Sequence, residues 1–211
     1  MANNKKLYFY IAANLAFLIP IPGRFAYGLI MIVLFNIQMA IVTMFFHAIH
    51  RIQLANMRNA LLTFMIVALG IIYKQILIII CPIAALTLGF CIFLPTLTSV
   101  IIEFFFLNYS HGLKKHLINN MKKSCFMSFF ALIFFCVRDI LGYGTFTLPG
   151  WKELIVIHLP YNIEKIGASI FIATIPGSLG LIAIFLTLYI FIVNKINILS
   201  NVSFIFEKES E

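Results

Sequence analysis

The chain has 211 residues, 63% hydrophobic and only 10% charged, with a mean hydropathy of +1.06. A soluble domain carries about 25% charged residues, so this composition cannot cover a water-facing surface and defines a polytopic helical membrane protein. The net charge of +8 comes from lysines scattered between apolar runs, which excludes a basic nucleic-acid-binding face, and the runs are too long and unbroken for a transmembrane β-barrel.

Measured against a hydrocarbon core of about 30 Å, or ~20 helical residues, six apolar segments follow in order. The first, Leu7 to Ile19, is too short for a full crossing. Pro20, Pro22 and Arg24 follow it instead of a small-residue cleavage site, so it stays in the membrane and is not a cleaved signal. The second runs from about Phe25 to Phe46 and the third from about Ala60 to Ile80. The chain turns near Cys81-Pro82, because proline cannot continue a helix without losing a hydrogen bond. The fourth runs from about Leu88 to Leu107 with Pro95 inside it, and the fifth from about Cys125 to Leu141. The sixth runs from about Ser169 to Val193 with Pro176-Gly177 inside it. Residues 1–195 form one membrane domain, and 196–211 a tail.

With the amino terminus in the cytoplasm, the inner segments hold Lys5, Lys6, Arg51, Arg58, Lys114, Lys115, Lys122, Lys123, Lys195 and Lys208. These are ten of the fifteen lysines and arginines. The positive-inside rule then favours six passes with both termini cytoplasmic.

Leu18-Ile19-Pro20 interrupts the first segment and Phe93-Leu94-Pro95 the fourth, at corresponding places in two three-segment halves of about 7–80 and 84–195. Halves with an odd number of spans insert with opposite orientation. Matched broken helices in such inverted repeats point to a site near the midplane. The expected fold is therefore all-α, with six transmembrane segments as two inverted three-helix repeats, the first and fourth broken or half-length.

In this order, Leu-x-Pro, a proline in the fourth span, Val137 to Phe146 (VRDILGYGTF) and Ala173 to Ile184 (ATIPGSLGLIAI) resemble the small six-helix subunits of the Rnf and Nqr complexes. The likeness covers about residues 10 to 195 and is nearest the NqrD/RnfE-like branch. The family's Arg-Glu-Ile-Leu-Gly-x-Gly-Thr is matched with Asp139 in place of Glu, and Gly142, Gly144 and Thr145 keep their places. The resemblance implies a bacterial inner-membrane complex that couples electron transport to Na⁺ or H⁺ translocation. It implies, as partners, other membrane subunits, above all a paired six-helix homologue of opposite orientation.

It also implies a shared iron–sulfur cluster of the 2Fe–2S type, held by two cysteines from each of the paired subunits. Those positions fall near Ile19 and Ile101 here, and neither is a cysteine. Clusters are held by thiolates, so no cofactor is assigned to this chain, and scaffold and ion path are favoured over electron carriage. The four cysteines present make no substitute: Cys125 and Cys136, eleven residues apart, lie ~16 Å apart along one helix.

Four charged residues are candidates for the ion path or an assembly interface. Lys74 and Glu103 stand inside apolar runs, where charge is costly, and Glu103 offers oxygen to a hard cation. Arg138 and Asp139 are adjacent, so they point to different sides of a helix, and each needs a partner elsewhere. The chain shows no Walker loop, Ser-His-Asp arrangement, zinc pattern or Rossmann fingerprint. Any catalysis belongs to a complex. The alternative is the six-helix substrate-binding component of a vitamin importer, which size and span number fit equally.

Overall fold

The computed structural model describes residues 18–52, 57–94, 113–159, 171–188, 190, 191 and 195. The start of the first segment, the fourth segment from Pro95 onward with Ile101 and Glu103, and the tail lie outside the described residues.

Among the described residues, three helices are long and apolar enough to cross a membrane: α1 (Phe25–Arg51), α2 (Arg58–Ile80) and α4 (Leu113–Tyr143). Their 27, 23 and 31 residues correspond to about 40, 34 and 46 Å at 1.5 Å per residue. Each therefore spans a hydrocarbon core of about 30 Å. The helix containing the fifth apolar segment begins at Leu113, twelve residues before Cys125, because its basic first turns continue the helix beyond the apolar stretch.

The turn at Cys81-Pro82 is where the sequence places it. Cys81 sits at φ −144° and ψ 84°, the extended conformation that a following proline imposes. Pro82 then opens the short helix α3 (Pro82–Leu88), where a missing N–H costs nothing. Gly89, at φ 43°, ends α3 and a 3₁₀ turn follows over Gly89–Phe93. The described start of the fourth segment thus carries a turn at Gly89, and the break expected at Pro95 lies outside the described residues.

One departure from the all-α expectation follows α4. Gly144 takes φ 64° and donates its N–H to the Ile140 carbonyl at 3.1 Å, a left-handed C-terminal cap that glycine adopts without penalty. Beyond it β1 (Thr145–Pro149) and β2 (Leu154–His158) form an antiparallel hairpin, with Thr145 opposite His158 and Pro149 opposite Leu154. The strands are rich in threonine and β-branched residues, which suit a pleated ribbon, but they are too short to stand out in an apolar chain. A further apolar helix, α5 (Ile175–Leu188), follows.

The helix ends can be placed relative to one another. The Phe25 N–H meets Asp139 and the Lys152 N–H meets the Ile80 carbonyl. The start of α1, the end of α2, the end of α4 and the hairpin therefore share one end of the bundle. At the far end the Arg58 guanidinium lies 5.5 Å over the Phe46 ring. So α1 runs antiparallel to both α2 and α4.

Helix α1 is the centre of the packing, buried over most of its circumference except a stripe at Val33, Ile37 and Met44, whereas α2 buries only Leu62, Ile66, Gly70 and Leu77. Gly28 lets α1 approach α4 closely, since any Cβ there would enter the Phe135 ring. Further along the same contact, Asn36 Nδ2 donates to Ser128 Oγ and to the Ile32 carbonyl, each at 2.8 Å. Ser124 Oγ donates to Asn36 Oδ1 at 2.7 Å. Asn120 Nδ2 reaches Thr43 Oγ1 at 3.1 Å. Such interhelical polar contacts join spans where no hydrophobic effect does so. On the other side of α1, Tyr73 Oη donates to the Ile30 carbonyl at 2.8 Å, and the fully buried Gln38 faces the Ile66 carbonyl.

Candidate functional site

The pair Arg138-Asp139 sits near the end of α4, where the chain is interrupted in three other places. The turn at residues 19–24 precedes α1, Gly144 separates α4 from the hairpin, and Thr174 separates residues 171–173 from α5. Each interruption leaves backbone N–H or C=O groups without helical partners. In an apolar interior each such group costs free energy unless it is bonded.

Asp139 is fully buried. Its Oδ2 accepts the N–H of Phe25 at 3.1 Å, the N–H of Thr147 at 2.8 Å and the hydroxyl of Thr147 at 2.7 Å. Its Oδ1 accepts the Thr145 hydroxyl at 3.0 Å. Thr147 Oγ1 in turn accepts the N–H of Ala26 at 3.2 Å. Phe25 and Ala26 are the first two residues of α1, and Arg24 at its N-cap supplies no side-chain cap. Asp139 and Thr147 are therefore the cap of α1, delivered from elsewhere in the chain. A carboxylate at a helix N-terminus also meets the positive end of the macrodipole, and α1 has no acid of its own in its first turn. The Phe25 and Phe146 rings, stacked with centroids 4.8 Å apart, close this contact.

Arg138 is only 2% exposed. Its Nη1 donates to the Ile21 carbonyl at 2.7 Å and, more weakly, to the Ile19 carbonyl at 3.4 Å. Its Nη2 donates to the Ala173 carbonyl at 3.0 Å. Gly23 leaves room for the guanidinium: a Cβ at that position would lie 2.7 Å from Nε. The guanidinium thus takes carbonyls from two interruptions, and the carboxylate takes N–H groups from the start of α1 and the hairpin. Opposite charges on neighbouring residues serve chain ends of opposite polarity.

Of the residues singled out by sequence, this brings together Arg138, Asp139, Thr145, Gly144 and the Ile19-Pro20 turn. Gly142 belongs to the same assembly, since a Cβ there would press on Ala173 at 3.1 Å. Gly177 is needed where the chain folds back, since a Cβ would strike the Phe171 carbonyl, and Pro176 beside it is exposed. Lys74 is half-buried on α2, away from this assembly, and Glu103 and Pro95 lie outside the described residues. The sequence assigns Arg138 and Asp139 to an ion path or an intersubunit contact. Their bonds instead run to this chain's own backbone and threonines, because the interruptions supply enough unpaired groups to use both charges. Gly23, Gly28 and Thr147 escaped notice; the Thr145-x-Thr147 spacing, which puts both hydroxyls on one face of a strand, was the available signal.

The residues near Ile19 do not fit an iron–sulfur cluster. Ile19 offers no ligand atom, and its carbonyl already faces a guanidinium. Among the described residues no three or more His, Cys, Asp or Glu side chains gather as a metal site. No protein-family model, no curated protein and no solved structure matches this chain. Fold and site define a helical membrane protein whose interrupted segments are tied together by one buried Arg-Asp pair.

Proposed function

We propose that the chain is an integral subunit of an Rnf/Nqr-type electron-transport complex, coupling redox to Na⁺ or H⁺ translocation as scaffold and ion path rather than as electron carrier. The observation that carries this reading is the meeting of two interrupted segments. The Cys91 thiol, in the 3₁₀ turn at the start of the fourth segment, approaches the Pro20 carbonyl at 3.7 Å. Two broken segments in contact are what a pair of inverted three-helix repeats requires. In this reading six segments cross or enter a bacterial inner membrane, both termini are cytoplasmic, and the hairpin end faces outward. Lys74 and Glu103 remain the ion-path residues, and the partner is a six-helix homologue inserted the other way.

The test is purification of the tagged chain from its native membrane in a mild detergent. Flavin-bearing membrane subunits and a second six-helix chain in stoichiometric amounts are the expected companions. Elution of the chain alone, with none of these, overturns the assignment.

A further inference from the structure

The hairpin divides sharply between its two strands. On β1, Thr145 and Thr147 are buried against Asp139 and the start of α1, whereas β2 is exposed at every position from Ile155 to His158. Successive strand residues point to opposite faces, so Ile155, Val156 and Ile157 present apolar surface on both sides. The run from Leu154 to Leu159 contains no Lys, Arg, Asp or Glu. Strands exposed to water are normally protected by such charges. Water is therefore a poor solvent for this strand.

The position of the tip identifies a better one. The Lys152 N–H donates to the Ile80 carbonyl at 2.9 Å, and the Cys81 thiol lies 3.9 Å from the Lys152 carbonyl. The tip is thus fastened to the turn between α2 and α3. Around that turn Ile79 is 74% exposed, and Ile80 and Ile83 are also open. Ile79 and Ile80 end a membrane-spanning helix, so a bilayer must cover them. A bilayer that reaches Ile80 also reaches the neighbouring Trp151, itself 74% exposed.

We propose that the β2 face of the hairpin and Trp151 bind lipid, lying flat in the headgroup–acyl boundary of the leaflet at that end of the bundle. Trp is enriched at this level because its ring is amphipathic. The outer edge of β2, which has no strand partner among the described residues, fixes the depth. Open sheet edges are not tolerated in the hydrocarbon core, whereas water and lipid ester and phosphate oxygens at the boundary can bond them. Lys152, beside Trp151, places a cation at phosphate level.

Trp151 is the only tryptophan in the chain, so its fluorescence reports this site directly. The full-length protein is reconstituted into phosphatidylethanolamine–phosphatidylglycerol vesicles doped with nitroxide lipids. A nitroxide near the headgroup should quench at least about twofold more strongly than one near the acyl end, and iodide on both sides should quench weakly. A second protein, Trp151→Phe with Ile79→Trp, provides a lipid-facing reference on α2. Strong iodide quenching of Trp151 without nitroxide quenching would overturn the proposal by placing the strand in water. Shielding from both quenchers would overturn it in favour of a protein cover, such as a partner strand or a second copy.

Discussion

Replacing Asp139 is the sharpest test of how the interrupted segments are held. The carboxylate accepts four hydrogen bonds, and Asp139→Ala removes all four acceptor sites at a fully buried position. The two threonine hydroxyls can rotate to other acceptors, but the N–H groups of Phe25 and Thr147 are fixed by helix and strand. An orphaned buried donor costs about 1–3 kcal/mol, so the two together cost about 2–6. Loss of the negative charge at the α1 N-terminus adds up to about 1 kcal/mol. Asp139→Ala should therefore destabilise by about 4 kcal/mol, close to a thousandfold in the folding equilibrium at 1.4 kcal/mol per decade. Asp139→Asn keeps a neutral oxygen where Oδ2 stands, and its amide can donate to Thr145 Oγ1, so it should cost only about 1–2 kcal/mol. The assay is reversible unfolding in mixed micelles by rising mole fraction of SDS, followed by helical circular dichroism. If Asp139→Ala falls within about 1 kcal/mol of the parent, or if Asn is as damaging as Ala, the carboxylate is not the cap of α1.

Three further substitutions probe the neighbouring contacts by the same unfolding measurement. Arg138→Lys leaves one ammonium to serve carbonyls from two separate segments; it should cost about 2 kcal/mol and speed tryptic cleavage at Arg24, and unchanged cleavage would count against the two-segment tie. Gly28→Val pushes side-chain atoms into the Phe135 ring and should cost about 1–3 kcal/mol, with partial recovery on adding Phe135→Ala; strict additivity of the two would contradict direct contact. Asn36→Leu removes three bonds made by one amide and should cost about 1–2 kcal/mol, so a neutral effect would mean that these bonds do not join α1 to α4.

The apolar runs showed where helices lie, and Cys81-Pro82 showed a turn, because span length and proline chemistry are local. The importance of Arg138-Asp139 was also readable, since charge beside glycine at a span end is expensive. Its partners were not. They are backbone groups of residues 19, 21, 25 and 173 and the threonines of a hairpin, and no local pattern reports which distant carbonyl lacks a donor. The hairpin was hidden because its five-residue strands look like loop in a chain already saturated with apolar residues. The break expected at Pro95 lies outside the described residues, whereas the positive φ of Gly89 is a conformation that sequence permits without announcing.

The hydrogen bonds that finish the start of α1 join residues 114 and 121 positions apart. During synthesis on the ribosome, α1 therefore enters the membrane with its first turn unsealed. It stays so until Thr147 has been made. A truncated product that ends between α1 and that residue carries exposed amide groups at the mouth of α1, a defect that membrane proteases and chaperones can recognise.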